Sequence, residues 1–163
     1  MNDHPFDAPL RELYRLFFSI EQAVAYIAAE ILKLETGPDT RAAVVALCGR
    51  FRGLLQNVRQ EIDALVDILL IPAHPGQDEA AGAVPSGDPR APLGRIDKWL
   101  RDGIEPMHAL VMDLREREKT DPGIQPVLML CQCLGADILA FYSEMKEPLR
   151  VIADQWPARE KTE

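Results

Sequence analysis

The feature that most constrains this chain is a spacing of three, four, three, four between apolar residues, which recurs in four separate segments. That period keeps one apolar stripe turned toward a partner helix along a shallow crossing, and no pleated strand can satisfy it. In the first segment the stripe is Leu10, Leu13, Phe17, Ile20, Val24, Ile27, Ile31 and Leu34. In the second it is Val44, Cys48, Phe51, Leu55, Val58, Ile62, Leu65 and Leu69. The third runs Leu93, Ile96, Leu100, Gly103, Met107, Leu110 and Leu114, with a glycine where a core side chain belongs. The fourth runs Ile124, Val127, Cys131, Leu134, Ile138, Phe141 and Met145, and continues past Pro148 through Leu149, Ile152 and Trp156.

The punctuation between these stripes sets the helix ends. Asp7 before Pro9 reads as an N-cap, Gly37-Pro38 as a stop, Asp39 or Thr40 as the next cap, and Asp121-Pro122 as the cap and first turn of the last helix. Pro106 removes a backbone bond to Asp102, which predicts a kink or break over residues 102–106, and Pro148 predicts a kink in the last helix. Residues 72–92 are rich in Pro, Gly and Ala and read as a linker. The expected fold is therefore all-α: a four-helix bundle of two long antiparallel hairpins, about 8–71 and 93–156, with a tail over 157–163. A chain of 163 residues with 47 % apolar residues suits one such domain. The short 35–39 connection makes the first two helices antiparallel, whereas the linker leaves the relative direction of the second and third open.

Composition narrows the function classes. A net charge of −8 repels phosphate backbones and anionic lipid, which disfavours nucleic acid as a partner. No uninterrupted apolar run reaches about eighteen residues, so no membrane span is expected. The acidic, polar start Met1-Asn2-Asp3-His4-Pro5 differs from a secretory signal, and cytoplasmic residence is the expectation. The 3 cysteines, Cys48, Cys131 and Cys133, lie in helical pattern and read as reduced residues. The preponderance of arginine over lysine suggests a GC-rich bacterial source.

Two helical regions carry apolar residues over more than one face. Leu13, Tyr14, Leu16, Phe17, Phe18 and Ile20 spread over roughly 200° of the first helix. Leu65, Val66, Ile68, Leu69, Leu70 and Ile71 nearly encircle the second. In an antiparallel hairpin both lie at one end, where burial by the other hairpin or by another chain is required. Tyr14, Phe17, Phe18, Val66, Leu69 and Leu70 are accordingly the candidate partner-binding residues. Val127 to Cys131 with Leu134 form a third broad stretch, which would join the same end only if the second and third helices ran parallel.

Catalytic patterns are sparse. Glu105-x-x-His108 meets the spacing of a bundle di-metal site once, with Pro106 inside it and no second copy, so no metal or other cofactor is expected. Cys131 and Cys133 point about 200° apart on a helix and cannot share an ion. The acids Glu61, Asp63 and Asp67 read as a solvated face, because no opposing acidic pair completes a magnesium site. Arg41, Arg50, Arg52 and Arg59, with no acid between the first and last, form a basic island for an anion or an acidic partner, or for pairing with Glu30 and Glu35.

Arg101-Asp102, followed by 5 residues and His108, resembles the Arg-x(4 to 6)-His motif of the HEPN superfamily of small helical-bundle ribonucleases. The resemblance covers these eight positions only. It implies a dimer with a composite site, His108 acting as general acid or base and Arg101 holding the scissile phosphate. Read without it, Asp97, Arg101, Glu105, His108 and Arg115 form a polar outward stripe. The expectation taken forward is a non-catalytic, protein-binding or regulatory module, homodimeric or a small subunit of an assembly, with the dimeric ribonuclease as the alternative.

Overall fold

A computed structural model describes residues 4–70 and 88–160, and side-chain surroundings as far as Trp156. Four α-helices account for nearly all of it: α1 (Asp7–Lys33), α2 (Pro38–Leu70), α3 (Arg90–Glu118) and α4 (Gln125–Glu160), with a 3-10 turn at Pro122–Ile124 leading into the last. The chain is an all-α bundle, and no strand occurs among the described residues. The expected linker falls largely on residues outside the described ones, as does Ile71.

Helix α1 packs on α2 and α4, and α3 packs on the same two, so α1 and α3 stand on one diagonal and α2 and α4 on the other. Cross-helix pairs fix the directions. Tyr14 meets Asp63 and Arg41 meets Leu34, which makes α1 and α2 antiparallel. Arg95 donates to Glu61 at 2.8 Å while Gly103 sits against Phe51 and Leu54, so α2 and α3 are antiparallel too. Tyr142 meets Asp97, and Gly135 meets Met107, which reverses α4 against α3. The topology is simple up and down, and the broad stretch beginning at Val127 therefore lies at the opposite end from Phe17 and Leu69.

The apolar stripes form the core. Every stripe position of α1 and α2 is buried except Leu34, which is half-buried; in α3 and α4 the half-buried members are Leu93, Leu110, Leu149 and Trp156. Phe6, Leu16 and Leu128 are buried in addition. Each fully buried side chain of this size contributes about 1.5–3 kcal/mol relative to exposure, which is why the period dictates the fold.

Several local expectations need correction. Asp7 does not cap α1: it is the first helical residue, after Phe6, and its carboxylate accepts the His4 N–H at 2.9 Å. Helix α2 begins at Pro38, ahead of both expected caps, because proline's fixed φ suits a first turn. Asp121 does cap, accepting the Gly123 N–H at 3.0 Å. No break occurs at residues 102–106, since α3 is continuous through Pro106. The expectation that no segment suffices to span a membrane also changes, because Pro122–Trp156 is long and apolar enough to do so. Scattered polar residues conceal this from a count of uninterrupted apolar runs. In the fold the same helix supplies Val127, Cys131, Leu134, Ile138, Phe141 and Met145 to the bundle core.

Candidate functional site

The expected contact end is covered mostly from within the chain. Phe17 and Leu69 are buried, Tyr14, Val66 and Leu70 are half-buried, and Phe18 alone of the six is exposed, at 63 %. The middle of α1 lies along the middle of α4, where Leu16, Ser19, Ile20 and Ala23 face Asp137, Ala140, Phe141 and Glu144 across a small crevice. Tyr14 donates its hydroxyl to Asp63 and so ties α1 to α2. Burial, then the Asp63 bond and charge, push its phenol up to about 12.

Three residues of the basic island, Arg41, Arg52 and Arg59, fall on one face of α2 at the helical period, and Arg50 falls on the opposite one. Arg41 donates to the Leu34 carbonyl and so satisfies one of the orphan acceptors at the end of α1. Arg50 lies toward α3, in a crevice with Asp102 and Pro106, whereas Arg52 is about 200° round the helix from it. Arg59 is exposed near the Tyr14–Asp63 pair. Glu30 bonds Lys33 at 2.6 Å rather than any of these arginines.

A different surface emerges between α3 and α4. An open groove of about 520 Å³ is lined on α3 by Ile104, Met107, His108, Val111 and Arg115, and on α4 by Gln132, Gly135, Ala136, Ile138 and Leu139. Its origin is local. Where α4 presents Gly135 and Ala136 there is too little side chain to fill the space above Met107, whose Cγ is only 3.5 Å from a Cβ built on Gly135. Leu139 stands in the groove 54 % exposed, and Met129, nearly three turns earlier on α4 and outside the groove lining, is 58 % exposed. A leucine exposed in a concave apolar surface is costly in water unless something covers it.

Arg101 and His108 fall on this same flank of α3, two turns or about 10 Å apart along its axis. Arg101 is ion-paired with Asp97, which also accepts from the Tyr142 hydroxyl at 3.4 Å. His108 is exposed and lines the groove. No three His, Cys, Asp or Glu side chains come together to hold a metal ion among the described residues. Cys48 and Cys131 are buried and Cys133 is exposed, all three free. Burial, with the neighbouring Cys48 thiol, pushes Cys131 up to about 12 and makes it a poor nucleophile at neutral pH.

The groove escaped sequence reasoning because its residues divide between two helices of one hairpin, and the apolar period read along each does not show which small side chains face one another. One signal was present: Met129, Gln132, Ala136 and Leu139 recur at helical spacing on α4 outside the core stripe. Compared with models of protein families, with curated proteins and with solved structures, the chain matches none.

Proposed function

We propose that this chain is a non-catalytic protein-binding or regulatory helical module, acting as a homodimer or as a small subunit of a larger assembly, and that the α3–α4 groove is its contact surface. The observation that carries this reading is an open apolar groove bearing a half-exposed leucine, on a bundle whose remaining wide apolar faces are largely self-covered. Ligand-sized concave sites with an apolar floor and a few polar groups at the rim are ordinary recognition surfaces. A reducing, cytoplasmic setting accords with three unpaired thiols, two of them in the core.

The test is groove-dependent association. Solution mass by light scattering, together with capture from an extract of the source cell, is compared between the native chain and Leu139→Glu. Self-association or capture that the substitution abolishes supports the module. A strict monomer that captures nothing, or capture indifferent to the substitution, overturns it.

One observation favours a second reading. Arg101 and His108 share an exposed face of an uninterrupted helix, as the HEPN-like ribonuclease alternative requires. RNA cleavage by a dimer, lost in His108→Ala, supports that alternative, and a monomeric, inactive native chain removes it.

A further inference from the structure

Three sulfur-bearing side chains from three helices share one level of the core. Cys48 of α2, Met107 of α3 and Cys131 of α4 are all buried, and both thiols are free. Gly103 sits against Phe51, so in this antiparallel pair Cys48, one turn before Phe51, lies level with Met107, one turn after Gly103. Met107 in turn lies against Gly135, and Cys131 precedes Gly135 by one turn of α4 and points into the same core. Cys48 and Cys131 are close enough for the charge of one to be felt at the other. They face each other across a diagonal of the bundle, since α2 and α4 are the pair that α1 and α3 separate. With neighbouring axes about 8–10 Å apart the diagonal is about 11–14 Å, and Cα atoms lie about 2.3 Å off each axis, which leaves facing Cα atoms about 7–9.5 Å apart. A disulfide accepts Cα separations of about 4.4–6.8 Å and is too short for this diagonal. A sulfur–metal–sulfur bridge with bonds of about 2.3 Å replaces an S–S bond of about 2.05 Å, so it lengthens that reach by about 2.5 Å, to about 7–9 Å.

The donors select the ion. Structural zinc asks for four ligands, and no His, Asp or Glu joins the two cysteines among the described residues. Thiolate and thioether sulfur in an apolar, water-poor layer instead favour Cu(I), which is soft and accepts few ligands. We propose that this layer binds one Cu(I) ion, bridged between the Sγ atoms of Cys48 and Cys131 with the Met107 Sδ as third donor. Each thiol releases its proton to solvent as its sulfur bonds the ion, two protons for one ion, and no electron changes hands. The bound group carries one negative charge, which Arg52, one turn after Cys48 and near enough to act on it, partly offsets. Methionine is unbranched and flexible, so Met107 can turn its sulfur toward the thiols without moving α3. The α3–α4 groove supplies the entry path, because Met107 lines it while belonging to the buried layer, and an entering ion meets the thioether before either thiol. The inference stands apart from the protein-binding reading of that groove.

The experiment titrates Cu(I) without oxygen into the full-length chain carrying Cys133→Ala, so that only the two buried thiols remain, in competition with a chromophoric Cu(I) chelator. Mass spectrometry under non-denaturing conditions should count one ion per chain. The ion should raise Tm by about 5–10 °C at about a hundredfold excess over its dissociation constant. Affinity should fall by about a hundredfold in Cys48→Ala or Cys131→Ala, and by about tenfold in Met107→Leu, with metal-free helical circular dichroism unchanged. X-ray absorption of the loaded Cys133→Ala chain, which needs no change in the core, should show sulfur neighbours alone. An ion lost to the chelator, shared between two chains, held as tightly by Cys48→Ala or Cys131→Ala, or bonded to nitrogen or oxygen overturns the site. Affinity indifferent to Met107→Leu overturns the third donor.

Discussion

Two helical glycines of different environment, Gly103 buried and Gly135 half-buried, offer a sharp test of the packing. At Gly103 an added Cβ would lie 3.0 Å from Phe51 Cε2, 3.1 Å from Leu54 Cδ1 and 3.4 Å from Phe51 Cδ2. Carbon atoms pack best at about 3.5–4.0 Å, so Phe51 and Leu54 must each retreat by about half an ångström. Leu54 is half-buried and can swing, but the Phe51 ring is 4 % exposed and held by the core. Overpacking of this kind costs about 1–3 kcal/mol, against a gain of about 1 kcal/mol for alanine over glycine in a helix. Gly103→Ala should therefore destabilise by about 1 kcal/mol. At Gly135 the nearest atoms are Met107 Cγ at 3.5 Å and Sδ at 3.9 Å, an ordinary contact, so Gly135→Ala keeps most of the helix gain, about 0.5–1 kcal/mol. The variants should move in opposite directions and, at about 2–4 °C per kcal/mol for a chain of this size, differ in Tm by about 3–8 °C. Thermal and urea unfolding followed by helical circular dichroism provides the readout. Combining Gly103→Ala with Phe51→Leu should remove most of the Gly103 penalty in a double-mutant cycle. A Gly103→Ala protein as stable as the native one, or equal shifts at both sites, would refute the close approach of α3 to α2.

Other outcomes follow from the same structure. Native protein should offer one fast thiol, Cys133, to a disulfide reagent, with Cys48 and Cys131 reacting only on unfolding; two or more fast thiols would contradict the core assignment. Tyr14 and Cys131 both hold their protons to about 12 when folded, whereas their ordinary values are 10.0 and 9.0. The unfolded chain therefore releases these protons first, and stability that is complete below about pH 9 should decline as pH rises toward about 12. A urea midpoint that does not change between about pH 8 and about pH 11 would count against both, and Tyr14→Phe should flatten part of the slope. His108→Ala, at an exposed position, should change stability by less than about 0.5 kcal/mol, so that any loss of function it causes reports on the groove rather than on folding.

The apolar period determined by itself that four helices form and which face of each turns inward: Val24, Val58, Ile96 and Leu134 are fully buried where the stripes put them. This was legible because burial of one stripe per helix is a local property, repeated every three or four residues and reinforced dozens of times. Helix ends were less legible. Asp7 and Pro38 entered helices because capping preferences of about 1 kcal/mol yield to neighbouring packing, and Pro106 stayed inside α3 because Ile96, Leu100, Met107 and Leu114 are buried on both sides of it. What only the tertiary structure decided is how the two hairpins meet: α3 runs antiparallel to α2, and α1 packs against α4. That arrangement buried Phe17 and Leu69 within the chain and set Gly135 and Ala136 of α4 opposite Met107 and His108 of α3. A groove is made by side chains that are missing from two facing helices at once, so a periodicity read along one helix at a time does not contain it.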